Sequence, residues 1–148
     1  MVALFRLIMM AVGYVWACIA ASLVLTLGTL APRWNDLFDA VGAPSPDAQS
    51  AAIWTVVGLG AAIIAVVGLL PTLLIIALTE GLALRSVVVY GVIGGALALV
   101  MAYGLNFSGF VAPPGSDLAR EREVFAAAGI AGGLVYWLFA GRKAGSWN

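Results

Sequence analysis

The stretch IWTVVGLGAAIIAVVGLLPTLLIIAL, from Ile53 to Leu78, contains no charged residue. As an α-helix rising about 1.5 Å per residue it outreaches the roughly 30 Å hydrocarbon core of a bilayer. Three stretches of the same character accompany it, Leu7 to Ala31, Val87 to Leu105 and Val124 to Ala140, and the short segments between them hold almost every charge. The last is the shortest, and Asp117 to Glu123 extends it as a helical lead-in standing in the interface. The expected fold is therefore an all-α membrane protein of one transmembrane domain over residues 1–148. It is an antiparallel four-transmembrane-helix bundle, with helices near 7–31, 53–78, 87–105 and 117–141.

Composition agrees with a lipid solvent. The 148 residues include only 9% charged ones, and the mean hydropathy is +1.10, far outside the soluble globular range. The formal charge is zero and the basic residues are scattered, which removes the electrostatic footprint that nucleic acid requires. There is no histidine, and Cys18 is the single cysteine. Intramolecular disulfides, thiol-pair redox chemistry, histidine-ligated haem and cysteine/histidine zinc sites all lose their ligands, so no cofactor or metal is expected. Cys18, inside the first apolar run, reads as a small packed residue. Arg6, the apolar run and Ala17-Cys18 have the outline of a processed leader. Against cleavage stand the bulk of Trp16 and the apolar sequence that continues to Leu30.

Four basic residues, Arg6, Arg85, Arg142 and Lys143, fall on one side of the four spans, and three, Arg33, Arg120 and Arg122, on the other. The positive-inside rule then places both termini in the cytoplasm. Asp36, Asp39, Asp47, Asp117, Glu121 and Glu123 lie on the opposite side, although acids carry little weight in that rule. In the first outer loop Trp34, Leu37, Phe38 and Val41 recur at helical spacing among polar residues, predicting a short helix in the headgroup layer. Gly42 and Ala43-Pro44-Ser45-Pro46 end it, and Asp47 to Ala52 leads into the second span; an anchor fits this helix better than a binding site. The short inner connection Thr79 to Ser86 predicts that the second and third spans pack side by side as a hairpin. Pro71 predicts a kink near Val67 to Leu70. In the second outer loop Ser116 or Asp117 caps the last helix, and the pairs Asp117–Arg120 and Arg120–Glu123 contribute about 0.2 to 0.5 kcal/mol each.

Small residues recur every four positions: Gly13, Ala17 and Ala21; Gly58 and Ala62, with Ala61 and Ala65; Gly91 and Gly95, with Gly94, Ala98 and Ala102 beside them; Gly129 and Gly133, with Ala128 and Gly132 adjacent. In lipid, helices gain nothing by hiding apolar surface from water, so close backbone approach along such ridges must hold them together. The ridges serve packing within one chain, or one of them faces a membrane-protein partner or a second copy. Trp34, Trp54, Phe107, Phe110 and Phe125, and at the other end Phe5, Tyr90, Tyr136, Trp137 and Phe139, predict aromatic belts. Tyr14 and Trp16 lie deeper and need polar partners such as Ser22, Thr26 or a carbonyl on another helix. They are packing residues, or else they line a site for a quinone or lipid tail between the first and third spans. Glu80 follows the second span at its C-terminal end, where the helix dipole disfavours an anion. With Arg85, Arg142 and Lys143 it would form an inner-face polar cluster, a hairpin clamp before a proton relay, since no ionisable residue sits at mid-membrane. Ser22, Thr26, Thr55 and Thr72 have no base beside them, which points away from catalysis.

Leu70-Pro71 through Glu80 to Arg85-Ser86, and Gly129 to Gly145 with Tyr136-Trp137 followed by Ala140-Gly141-Arg142-Lys143-Ala144-Gly145, resemble small four-helix inner-membrane proteins of rhizobial-type alphaproteobacteria. The resemblance covers about a quarter of the chain. It implies a bacterial inner membrane and brings no activity and no catalytic residues. The leading expectation is a non-enzymatic accessory or scaffold component of a larger membrane assembly. The alternative is a small transport or ligand-binding protein with a site between the helices near Tyr14, Trp16, Pro71 and Tyr90.

Overall fold

The computed structural model describes residues 2–81, 86–104 and 118–140. Among them the chain is all-helical, without a strand: α1 (Val2–Leu30), a 3-10 turn (Ala31–Arg33), α2 (Trp34–Ala40), α3 (Pro46–Gly81), α4 (Val87–Gly104) and α5 (Leu118–Phe139). Three helices, α1, α3 and α5, are long and apolar enough to cross a membrane. α4 is apolar throughout but shorter; its 18 residues reach about 27 Å.

Local chemistry explains the helix ends. α2 stops in a Schellman motif, with Gly42 at φ +62°. There the Ala43 amide donates to the Phe38 carbonyl at 2.9 Å and the Gly42 amide to Asp39 at 3.3 Å. Only glycine takes that left-handed conformation without a Cβ penalty. Three residues later Ser45 caps α3, its hydroxyl accepting the Ala48 amide at 3.3 Å, with Pro46 at the first helical position and Asp47 behind it. α3 therefore starts at Pro46, seven residues before the expected Ile53, because Ser-Pro-Asp is a helix start that an apolar count passes over. At 36 residues it is about 54 Å long, so one end must project past the hydrocarbon or tilt within it. It continues through Pro71 to Gly81. Glu80 thus lies in the last turn of α3 and not beyond it.

Packing runs in the spatial order α3, α1, α5, α4. α1 and α3 are antiparallel, for the Tyr14 hydroxyl meets the Ala65 carbonyl and the Ser22 hydroxyl that of Val57. α1 and α5 are antiparallel too, with Gly13 against Phe139 and Tyr136, Gly132 against Ala17 and Ala21, and Gly28 against Val124. α4 runs antiparallel along α5, from Tyr90 at Gly133 to Tyr103 at Arg122. The expected hairpin of the second and third spans does not form: among the described residues α3 and α4 touch at most at isolated points. The physical reason is that each is held elsewhere, α3 on α1 by hydroxyls that reach its carbonyls and α4 on the glycines of α5.

The outer surface is strongly apolar. Val66, Leu70 and Leu74 on α3 are 77%, 74% and 67% exposed, the opposite of a soluble core pattern and what a lipid-facing surface requires. The buried residues are mostly small or aromatic: Cys18, Ser22, Thr26, Val57, Ala61, Tyr90, Ala102, Phe125, Ala128 and Tyr136.

Candidate functional site

With α3 held on α1 and α4 held on α5, the two outer helices stand apart over a floor made by the inner pair. The result is an apolar cleft of about 190 Å³, open along one side. The α3 wall carries Ile64, Val67, Gly68, Thr72 and Ile75, and the α4 wall carries Ile93, Leu97, Ala98, Met101 and Ala102. Tyr14, Cys18, Ala21 and Leu25 from α1 and Phe125, Ala128, Gly129 and Tyr136 from α5 make the floor.

Each wall has a sequence reason. On α4 the row Gly94, Ala98, Ala102 lets the helix sink against α5, and a Cβ at Gly94 would strike the backbone oxygen of Gly129. That close approach leaves the larger Leu97 and Met101 directed along the cleft. On α3 the spacing of Gly68 and Thr72 hollows the wall opposite Tyr14, whose hydroxyl oxygen would lie 3.6 Å from a Cβ built on Gly68. Tyr14 donates to the Ala65 carbonyl at 2.8 Å, and Ser22 donates to the Val57 carbonyl at the same distance. Among the described residues no buried side-chain nitrogen or oxygen lacks a hydrogen-bond partner. The exposed wall of the cleft is nearly all carbon.

The named sequence candidates distribute unevenly around this site. Tyr14 and Tyr90 line it; Trp16 does not, being half exposed and stacked on Phe139 with ring centroids 6.3 Å apart. Pro71 is not in the wall either, although its neighbour Thr72 is. Phe125, Tyr90 and Tyr136, read from sequence as belt residues, are buried in the floor and wall, with Tyr90 and Tyr136 5.9 Å apart. Trp54, 65% exposed, keeps a position open to the bilayer. Trp34 stacks on Phe38 within α2 at 5.7 Å.

Of the packing glycines, Gly13 and Gly132 lie in the α1–α5 seam, where Gly132 sits against the Ala17 carbonyl and the Ala21 methyl. Gly129 and Gly133 sit in the α4–α5 seam, facing the backbone of Gly94 and of Tyr90. Gly91 and Gly95 are buried against α5 as well but meet mainly side chains, Gly91 those of Leu134 and Ile130 and Gly95 that of Ile130, with the Ala126 carbonyl oxygen 3.6 Å from a Cβ built on Gly95. Gly58 has open space where a side chain would begin, and Ala62 is exposed beside it. The side chain of Glu80, and Arg85, Arg142 and Lys143 altogether, lie outside the described residues, as do Phe107, Phe110 and Asp117. Near Gly104, the end of α4, Tyr103 accepts a hydrogen bond from Arg122 Nε, and the guanidinium carbon sits 5.4 Å from the ring centroid, tying the ends of α4 and α5.

Sequence reasoning missed Cys18, Thr72, Leu97 and Met101 as cleft residues. The signal available for them was weak: the Gly68–Thr72 spacing on one helix and the Gly94–Ala98–Ala102 row on another. Comparison with protein-family models, with curated proteins and with solved structures finds no match to the chain.

Proposed function

We propose that the chain is a non-enzymatic protein of a bacterial inner membrane that crosses it four times, with both termini in the cytoplasm, and that it holds an apolar molecule between its helices. The cleft between α3 and α4 carries this reading. Two helices adjacent in the chain are kept apart by their separate partners, and the gap is concave, carbon-walled and reachable from the bilayer. The crossing count is supported by α4 lying alongside α5 over its length, so that it traverses the depth α5 traverses; a shortfall of about 3 Å is absorbed by local thinning. The resemblance of the Leu70–Ser86 and Gly129–Gly145 segments, with the four-to-three excess of Lys and Arg, supports the membrane and the orientation.

Native mass spectrometry of the protein extracted gently from its own membrane tests this. A bound small molecule on a monomer or homo-oligomer is the expected result. A bare chain, or one found only in fixed ratio with another protein, counts against it.

The second reading, an accessory or scaffold component, is favoured by the outward face of α3, where Gly58 and Ala62 leave a hollow that no described residue fills. Gly58→Leu separates the two readings: it abolishes co-purification of a scaffold partner and leaves retention of a small molecule intact. Leucine at Gly129 or Gly133 does not, because those glycines are consumed by packing within the chain.

A further inference from the structure

The cleft narrows the chemistry of its occupant, and this step rests on the ligand-holding reading above. We infer that the cleft takes one acyl chain of a bilayer phospholipid, entering sideways between α3 and α4.

Three observations select a hydrocarbon chain over other occupants. First, size. The cleft, about 190 Å³, has room for several methylenes of a hydrocarbon chain. Second, polarity. The exposed wall is nearly all carbon, and Tyr14 spends its hydrogen on the Ala65 carbonyl, so little in the wall rewards a polar ligand. An apolar void of this kind also holds no ordered water, which needs two or more polar partners. Third, access. The opening lies between two helices whose other faces are strongly exposed and apolar, Val66 and Leu70 on α3 and Val92 on α4, so it faces the medium in which acyl chains are the abundant molecule. A methylene chain inside the cleft gains the dispersion contacts that the parted helices leave unmade.

The test uses the full chain in bilayer nanodiscs of phosphatidylcholine whose acyl chain carries a mid-chain photoactivatable diazirine. After illumination, adducts are mapped by peptide mass spectrometry. The expected result is about fivefold more label per residue on Leu97 and Met101 than on the outward Leu59 and Val66. Leu97→Trp, filling the cleft from α4, returns the cleft label to the outward level, whereas Val92→Trp on the outer face of α4 changes nothing. Ile64→Trp repeats the filling from the α3 wall, so that failure of one variant to fold leaves the other to decide.

Equal labelling of cleft and outer face overturns the proposal, as does cleft labelling that persists in both filled variants. A non-lipid molecule retained in the native mass spectrum beside an unlabelled cleft overturns the acyl chain alone and leaves the ligand-holding reading standing. A cleft that retains neither defeats both.

Discussion

The seam between α4 and α5 and the seam between α1 and α3 hold helices together by different means. At α4–α5 three glycines, Gly94, Gly129 and Gly133, bring backbone against backbone, and a Cβ added at Gly129 would also lie 2.6 Å from that of Ala98. At α1–α3 the joints are hydroxyls reaching across to carbonyls at 2.8 Å, from Tyr14 and Ser22, eight residues apart and so a little over two turns along one stripe. In water both seams would be secondary to burial of apolar surface. In lipid that force is absent, and the close-packed seam outweighs the hydrogen-bonded one, because interhelical hydrogen bonds in membranes average well under 2 kcal/mol while a collision of packed backbones cannot relax locally.

The sharpest way to break the comparison is Gly129→Leu. A leucine there meets the Gly94 backbone and forces α4 off α5; a loss of about 3 kcal/mol or more is expected, read as a collapse of the detergent unfolding midpoint.

A finer cut sets Gly94→Ala against Gly91→Ala, neighbours on one helix. The added methyl at Gly94 meets backbone and should cost about 2 kcal/mol; the one at Gly91 finds Leu134 and Ile130 carbons at 3.7 and 3.8 Å and, with alanine's better helix propensity, should raise stability by about 0.5 kcal/mol. Equal effects in denaturant titrations would mean that Gly94 and Gly91 approach α5 equally closely.

Tyr14→Phe and Ser22→Ala each remove one hydroxyl and leave one α3 carbonyl without its side-chain donor. About 0.5 to 1.5 kcal/mol apiece is expected from the same titrations, less than either α4–α5 collision. A loss at Ser22 as large as that at Gly129 would make the two seams equivalent.

The smallest expected change is Gly58→Leu, facing outward with none of the described residues within 4 Å of its Cβ position. Its unfolding midpoint should stay within about 0.5 kcal/mol of the parent.

Much of this architecture is legible in the residues. The four apolar runs are helices, Gly42 ends the short α2, and the small-residue spacing marks helices that approach closely. The start of α3 was readable too, from Ser45-Pro46-Asp47, but cap chemistry is local and is outvoted when a count of apolar residues draws the boundary. The hairpin expected from the short Thr79–Ser86 connection failed for a different reason. A short connection makes neighbours of two helix ends, and the lengths beyond it go wherever other contacts hold them.

The cleft was half visible. Tyr14, an aromatic residue at depth, and Tyr90, a belt residue set near the same inter-helix site, are legible, but Cys18, Thr72 and Met101 look like any other residues of an apolar helix. Trp16, equally prominent in sequence, faces outward against Phe139.

Helical class, a lipid environment and the ends of α2 and the start of α3 follow from the order of residues, since length of apolar run, charge placement and capping are local properties of the chain. The partner of each helix, the closer backbone approach at Gly94 than at Gly91 and Gly95, and the opening between α3 and α4 exist only in the folded molecule. The reason is physical: a helix that is apolar all round carries no stripe to say which face turns inward. With small residues on several faces, only the mutual fit of two backbones decides where contact is closest and where space is left.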